Sequence, residues 1–489
     1  MALADLLSLK RWELRHKCAS IANEIDAWKA ASEANQPLEK HHRQVRRIAA
    51  ELQGMLAQVE AEVQALEQQA SAERFFHALP RAEFFVLELH RTWDYFRQKL
   101  ELRLAPPTSV LLEALDEFVW QCYLPVVRAR GQDHPPEPPL VFLDGNRSPA
   151  ATLRRAELIL ATVEERVRFT QLDGVRLRQI VVPVISLPWY DSSFLPEALL
   201  LAHEAGHLVA DDLTLNPAID DNLGRAAIDD ERRQLWWRPW SSEVFADVYG
   251  TLCAGPAFVG SLATLLARKP SEMAQAADPQ NRYPPPYLRM QIALAALERL
   301  GFIKQAGALR DQWQAAYGAP AEFGRADCAP DIGAVLDALL ERPMAGLSPG
   351  EPQMTLRAFP RLAWDASRQQ RATECAERLR DNSVALSDTD ARIVLAGAAL
   401  AFQFSPDFGP VDRQARTQGA VLKHILAGRA AGVRRGAARV ALTQAEETAA
   451  FTEGAGLYTE LAAAYERATT SPANSWPITR GGTNTLAHD

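Results

Sequence analysis

His203-Glu204-Ala205-Gly206-His207 places two histidines four residues apart, with a glutamate directly after the first. On an α-helix, residues i and i+4 lie one above the other on the same face, so both imidazoles can reach a single metal ion. Glu204 falls about 100° round the helix from His203. From there it flanks the ion without needing to bind it, and it can hold a water and take its proton. Two ligands and a base within one turn is the H-E-x-x-H arrangement of zinc-assisted hydrolysis. The apolar side chains of Leu199, Leu200, Leu201, Leu208 and Val209 suit a buried helix, and Gly206 leaves room for another element to approach.

A catalytic zinc needs a third protein ligand and an open position for water. The histidines after His207 are His424 and His488, both distant, so a carboxylate is expected to complete the set. The segment WRPWSSEVFADVYGTL (237–252) supplies it. Glu243 is expected as the third ligand on a helix capped by Ser241 or Ser242. Asp247, one turn on, is expected to accept a hydrogen bond from the distal nitrogen of a ligating histidine, which fixes the tautomer. A third segment, NRYPPPYLRMQI (281–292), uses three prolines to lead rigidly into a new helix, setting Tyr283 and Arg289 in defined positions.

In this order, HEAGH, SEVFADVYG and YPPPYLRM resemble the glutamate-type zinc metallopeptidases, or gluzincins. The closest motif layout is that of the CAAX-prenyl endopeptidases and the HtpX heat-shock proteases. Glu243-Val244-Phe245-Ala246-Asp247 matches the family's Glu-x-x-Ala-Asp helix residue by residue, and Pro284-Pro285 with Arg289 matches its Pro-Pro segment leading to an arginine. The resemblance covers roughly residues 175–295. It implies a zincin-like core with one Zn2+ per chain. It also implies that the expected strand at 178–188 is the edge strand that aligns a peptide beside the metal. Where the family has a histidine before Pro-Pro, this chain has Tyr283, which would offer its hydroxyl to the oxyanion. The family's membrane helices have no counterpart here.

The surrounding elements must carry this centre. The first 75 residues hold a heptad pattern, with Leu7, Leu14, Ile21 and Trp28 and then Val45, Leu52, Val59 and Leu66, interrupted at EANQPLEK. That pattern predicts a helical hairpin of coiled-coil type, a possible arm for a protein partner. HHRQVRR (41–47) is expected as its solvated face. Helices continue over 76–131, broken by APP at 105–107, and QDHPPEPPL marks a boundary. The core spans 132–320: an apolar run LVFLDG, a helix from about 148 to 169, the strand at 178–188, the motif helix, and helices from about 241 to 320 interrupted by RYPPPY. Residues 321–489 are expected to be helical with an irregular tail. The fold class is thus mainly α with a small β-sheet (α+β).

Bulk composition sets the remaining limits. A net charge of −8 argues against a general nucleic-acid binder. The apolar run at 393–402 is too short to cross a membrane and is expected as a core helix. Five scattered cysteines fit buried, reduced thiols in a cytoplasmic protein. The expected function is a zinc-dependent peptidase acting on a restricted protein or peptide substrate. The alternative is a scaffold or sensor built on a regulated or vestigial peptidase core. A zinc hydrolase acting on a non-peptide amide is a third possibility.

Overall fold

A computed structural model describes residues 3–69, 71–129, 136–154, 157–158, 177–178, 182–273, 281–318, 328–344, 347, 354–359, 361–381, 383, 386–403, 411–432 and 442–470. The chain is mainly helical with a small three-stranded sheet, as the sequence predicts. Parts of the expected helix at 148–169, the proline-rich stretch and the strand at 178–188, and nearly all of the tail, lie outside the described residues.

Four long helices open the chain: α1 (Leu3–Ala31), α2 (His42–Glu67), α3 (Ala72–Glu101) and α4 (Thr108–Arg128). The heptad residues Leu14, Ile21, Trp28, Val45, Leu52, Val59 and Leu66 are buried, while Leu7 is partly buried. Seven-residue spacing keeps an apolar seam on one face of each helix. HHRQVRR is not a solvated face. His41, Arg43 and Gln44 are buried, because acidic groups from elsewhere meet the basic ones. Arg43 pairs with Glu137 at 3.2 Å and Glu446 at 2.6 Å, and His41 lies 3.2 Å from Asp116.

The sheet consists of β1 (Leu140–Asp144), β2 (Ala150–Thr152) and a later strand, β5 (Val184–Pro188). Between β2 and β5, β3 (Glu157–Leu158) and β4 (Leu177–Arg178) pair antiparallel with each other. The order β1-β5-β2 puts β5 in the centre, parallel to β1 and antiparallel to β2. Two expectations are corrected here. The described start of the expected helix at 148–169 is strand β2, with β3 further on. The strand at 178–188 is central where it is described, so the edge belongs to β2. Ala150 and Ala151 have weak strand propensity, and cross-strand pairing of Ala150–Thr152 with Ser186, Ile185 and Val184 decides their conformation.

After β5 the chain forms α5 (Leu195–Ala198), the motif helix α6 (Leu201–Asp212), α7 (Asn216–Gly224) and α8 (Glu231–Leu266). Leu201 and Ala202 with Ala205, Leu208 and Val209 bury one side of α6. The helix ends where Thr214 turns to φ 56° and the Leu215 N–H reaches back to the Ala210 carbonyl at 2.8 Å. Gly206 lets α6 lie tightly on α8, since a Cβ there would sit 3.0 Å from the Tyr249 Cβ. Helix α8 begins ten residues before Ser241, so neither Ser241 nor Ser242 caps it. The helix breaks at Gly255 (φ 57°) and resumes after Pro256, and the Leu252 carbonyl left open there accepts the Trp364 N–H at 2.8 Å. By length and composition Arg233–Leu266 could cross a membrane, yet 83% of its most apolar window is buried inside the protein.

Further on come α9 (Pro270–Met273), α10 (Pro286–Arg299), α11 (Ile303–Tyr317), α12 (Ile332–Leu336), α13 (Ala366–Arg380), α14 (Ala391–Gln403), α15 (Val411–Gly432) and α16 (Gln444–Thr470). Helix α14, which holds the apolar run at 393–402, is a buried core helix beside α5, α8 and α13. Helix α16 leaves the C-terminal region and packs on α2, meeting it at Gly54 and Gly454. A Cβ on Gly54 would lie 1.9 Å from the Phe451 carbonyl oxygen, and one on Gly454 1.8 Å from that of Glu51. All five cysteines are buried and unbridged.

Candidate metal centre

Helices α6 and α8 together bring three metal-binding side chains to one point. The Nε2 atoms of His203 and His207 are 3.1 Å apart. Glu243 places Oε2 3.3 Å from the His203 Nε2, and Oε1 3.7 Å from the His207 Nε2. Donors of a tetrahedral ion with bonds of about 2.0–2.1 Å lie roughly 3.3 Å from one another. The three separations therefore fit one face of such a tetrahedron. Among the described residues, His203, His207 and Glu243 are the group that could hold a metal ion.

The other ring nitrogens are engaged. His203 Nδ1 lies 2.8 Å from the Asp247 carboxylate, and His207 Nδ1 lies 3.1 Å from the Ser242 hydroxyl. With Nδ1 donating, the neutral imidazoles turn the lone pairs of Nε2 towards each other and towards Glu243, which is what a metal requires. Asp247 is held in turn by Arg289, with Nε to Oδ2 and Nη2 to Oδ1 both at 2.8 Å. Arg289 thus sits behind the ligands and positions Asp247, rather than facing the cleft with free donors.

Burial and mutual charge set the ionisation. Burial would lower His203, but its hydrogen bonds to Asp247 and Glu243 raise it to about 9. His207 is pushed down to about 3 by burial and by neighbouring His203. Burial raises Glu204, although the His203 charge opposes this and the Ala151 N–H donates to its carboxylate. Burial would also raise Glu243, yet its hydrogen bond to His203 keeps it low. Three buried carboxylates, Glu204, Glu243 and Asp247, thus meet the guanidinium of Arg289 and, without a metal, the protonated ring of His203. A metal cation at the Nε2 atoms would take the place of that proton.

The centre opens on a cleft of ≈ 410 Å³. Edge strand β2 forms one wall, Leu200, Leu262 and Leu265 supply apolar surface, and Arg282 and Tyr283 stand above it. Trp240 Nε1 donates to the Asn281 carbonyl at 2.9 Å, and Asn281 Oδ1 accepts the Tyr283 N–H at 3.2 Å, which ties this loop to α8. Tyr283 is 47% exposed. The guanidinium carbons of Arg282 and Arg289 lie 5.8 and 5.9 Å from its ring centroid.

The structure brings all seven residues singled out from the sequence, His203, Glu204, His207, Glu243, Asp247, Tyr283 and Arg289, to this cleft or to the shell behind it. Sequence reasoning missed Ser242 as the partner of His207, β2 as the cleft wall, and Arg282. The signal for Ser242 is a hydroxyl directly beside a ligand in an otherwise apolar helix. Arg282 carries only adjacency to Tyr283. No protein-family model, curated protein or solved structure matches this chain.

Proposed function

We propose that the chain is a zinc-dependent peptidase with a zincin-like core, in which His203, His207 and Glu243 hold the ion and Glu204 is the general base. The observation that carries this reading is the convergence of two imidazole Nε2 atoms and one carboxylate at 3.1–3.7 Å, with Glu204 beside them in an open cleft. Two imidazoles and a carboxylate with a fourth position open match a catalytic zinc site better than a closed structural one. When bound there, zinc supplies Lewis acidity to a water and to a carbonyl oxygen.

The chain's own residues account for the rest. Asp247 and Ser242 fix the tautomers of the two histidines, and Arg289 fixes Asp247. Strand β2 offers an edge on which an extended peptide can add as a further strand. Its Ala151 N–H steadies Glu204. Glu204 takes the proton of the attacking water and returns it to the departing nitrogen. The cleft has β2 along one wall and helices α6 and α8 behind the ligands, which suits an extended peptide segment as substrate.

Metal content and cleavage test this together. Wild type should carry about one zinc per chain, largely lost in Glu243→Ala. Glu204→Gln should keep its zinc while cleavage of proteins in a cell extract falls by roughly 10²–10⁴-fold. Zinc-free wild type after zinc-supplemented expression would sink the reading. A biological effect that survives Glu204→Gln would favour the scaffold or sensor alternative, and products cut at non-peptide amides would point to the third.

A further inference from the structure

Hydrolysis of an amide needs, besides a base, a positive group where charge accumulates on the carbonyl oxygen. Two cationic side chains line the cleft, Arg282 and Arg289. Arg289 already gives two donors to Asp247. Arg282 is different: its Nε lies 3.5 Å from Glu243 Oε1, and among the described residues Glu243 is its one ion-pair partner. Once a cation claims the Glu243 carboxylate, that attraction weakens and the guanidinium fork is left at the cleft with donors to give.

Its placement suits the task. Arg282 stands against the Glu243 corner of the ligand triangle, on the loop before α10. Glu204 follows His203 on α6, so base and cation reach the cleft from different elements. A carbonyl seated over the triangle would have Glu204 on the side of the attacking water and Arg282 on the other. The loop that carries Arg282 is pinned by Trp240 and Asn281 and stiffened by Pro284 and Pro285. Tyr283 turns its ring face to both guanidinium groups.

We propose that Arg282 is a catalytic residue that donates to the carbonyl oxygen as it becomes negatively charged. This rests on the peptidase reading above. As the water oxygen bonds to the carbonyl carbon, the C=O π pair moves onto oxygen beside Arg282, and Glu204 takes the water's proton. As the pair returns, the C–N bond breaks and Glu204 gives that proton to the nitrogen. Arg282 stays charged throughout and exchanges no proton.

The test uses a binding readout on full-length, zinc-loaded protein. N-phosphoryl-leucinamide places tetrahedral anionic oxygens where the carbonyl oxygen would sit and a leucine side chain near Leu200, Leu262 and Leu265. Calorimetry should show Arg282→Ala binding it roughly 10²-fold more weakly. Zinc content should be unchanged, and Arg282→Lys should recover a good part of the loss. Tyr283→Phe should change affinity less than about threefold, since the ring survives. A loss confined to Tyr283→Phe overturns the assignment. So does a less than twofold effect of Arg282→Ala in the loaded protein, or an effect seen only for N-phosphoryl-leucyl-alanine, whose free carboxylate would then be the group recognised. Wild type that takes up no zinc overturns the peptidase reading and this assignment together, and metal analysis separates that failure from the others.

Discussion

The helical bundle at the start of the chain and the cleft between α6 and α8 both bury charge, and they do so in opposite ways. In the bundle most buried charges find a counter-charge inside the protein. Arg103 donates to both oxygens of Asp116 at 3.1 and 3.2 Å, the Val141 N–H adds a third bond at 3.0 Å, and Lys40 pairs with Glu117 at 2.9 Å. Burial alone would raise Asp116, but Arg103 and His41 hold its carboxyl below the usual range. In the cleft, three carboxylates meet the Arg289 guanidinium and two imidazoles, and the two Nε2 atoms and the Glu243 carboxylate converge on one point. The bundle's charges close on one another. The cleft instead gathers donor atoms within reach of a single added cation.

The comparison can be broken most directly in the bundle. Asp116→Ala leaves Arg103 buried without its partner and should cost about 3–5 kcal/mol of unfolding free energy in urea. The zinc content of the folded fraction should not change. A loss under 1 kcal/mol would mean that the bundle's charges are not mutually dependent.

The cleft should behave in the reverse sense. Zinc at about 100 times its Kd should stabilise wild type by roughly 2.7 kcal/mol, and a chelator should remove the gain. Glu243→Ala should show no such response. A zinc response in Glu243→Ala as large as that of wild type would remove Glu243 from the ligand set.

Two bundle residues depart from this pattern: Lys99, whose ammonium donates to the Tyr95 carbonyl at 2.7 Å, and Glu51. Glu51 lies buried at the α2–α16 crossing with no hydrogen-bond partner for Oε2, and burial and the nearby Glu453 raise it to about 8. Below the unfolded value of 4.5 both folded and unfolded chains hold this proton, and the group costs nothing. As pH rises the unfolded chain loses the proton first, so stability falls until pH passes about 8. Between pH 6 and pH 8 wild type should lose about 2 kcal/mol relative to Glu51→Gln, read from denaturation midpoints. Parallel profiles would place the charged form of Glu51 in water.

The smallest effect belongs to Ser242. Ser242→Ala removes the hydroxyl beside His207 Nδ1 and should weaken zinc binding about tenfold, near 1.4 kcal/mol in a competition titration. An unchanged affinity would leave Asp247 as the one outer group that matters.

Much of the ligand set was legible because its spacing is short-range. His203 and His207 share a helix, as do Glu243 and Asp247, and helical geometry alone puts each pair on one face. The heptads were legible for the same reason. What the sequence hid were partners across long separations. Arg43 reads as a solvated charge until Glu446, 403 residues away, is found beside it. Ala150–Thr152 is too short to show a strand period, and pairing with β5 decides its conformation. The 178–188 strand was visible as a strand, but its central position depends on β1 and β2 arriving on its two sides. Ser242 reads as a helix cap because serine hydroxyls favour that position, yet the helix already begins at Glu231 and continues through Ser242.

The close crossing of α2 and α16 has a consequence for how the chain is made. Tyr458 donates to Glu62 across 396 residues of sequence, and the bare backbones at Gly54 and Gly454 meet where no side chain could fit. During synthesis the first three helices leave the ribosome long before the strip that closes over α2. At roughly 5–20 residues per second that wait lasts on the order of 20–80 seconds. Over that interval the face of α2 that meets Leu457 and Leu461 stays uncovered, and Arg43, Arg46 and Arg47 wait for Glu446, Glu447 and Glu453.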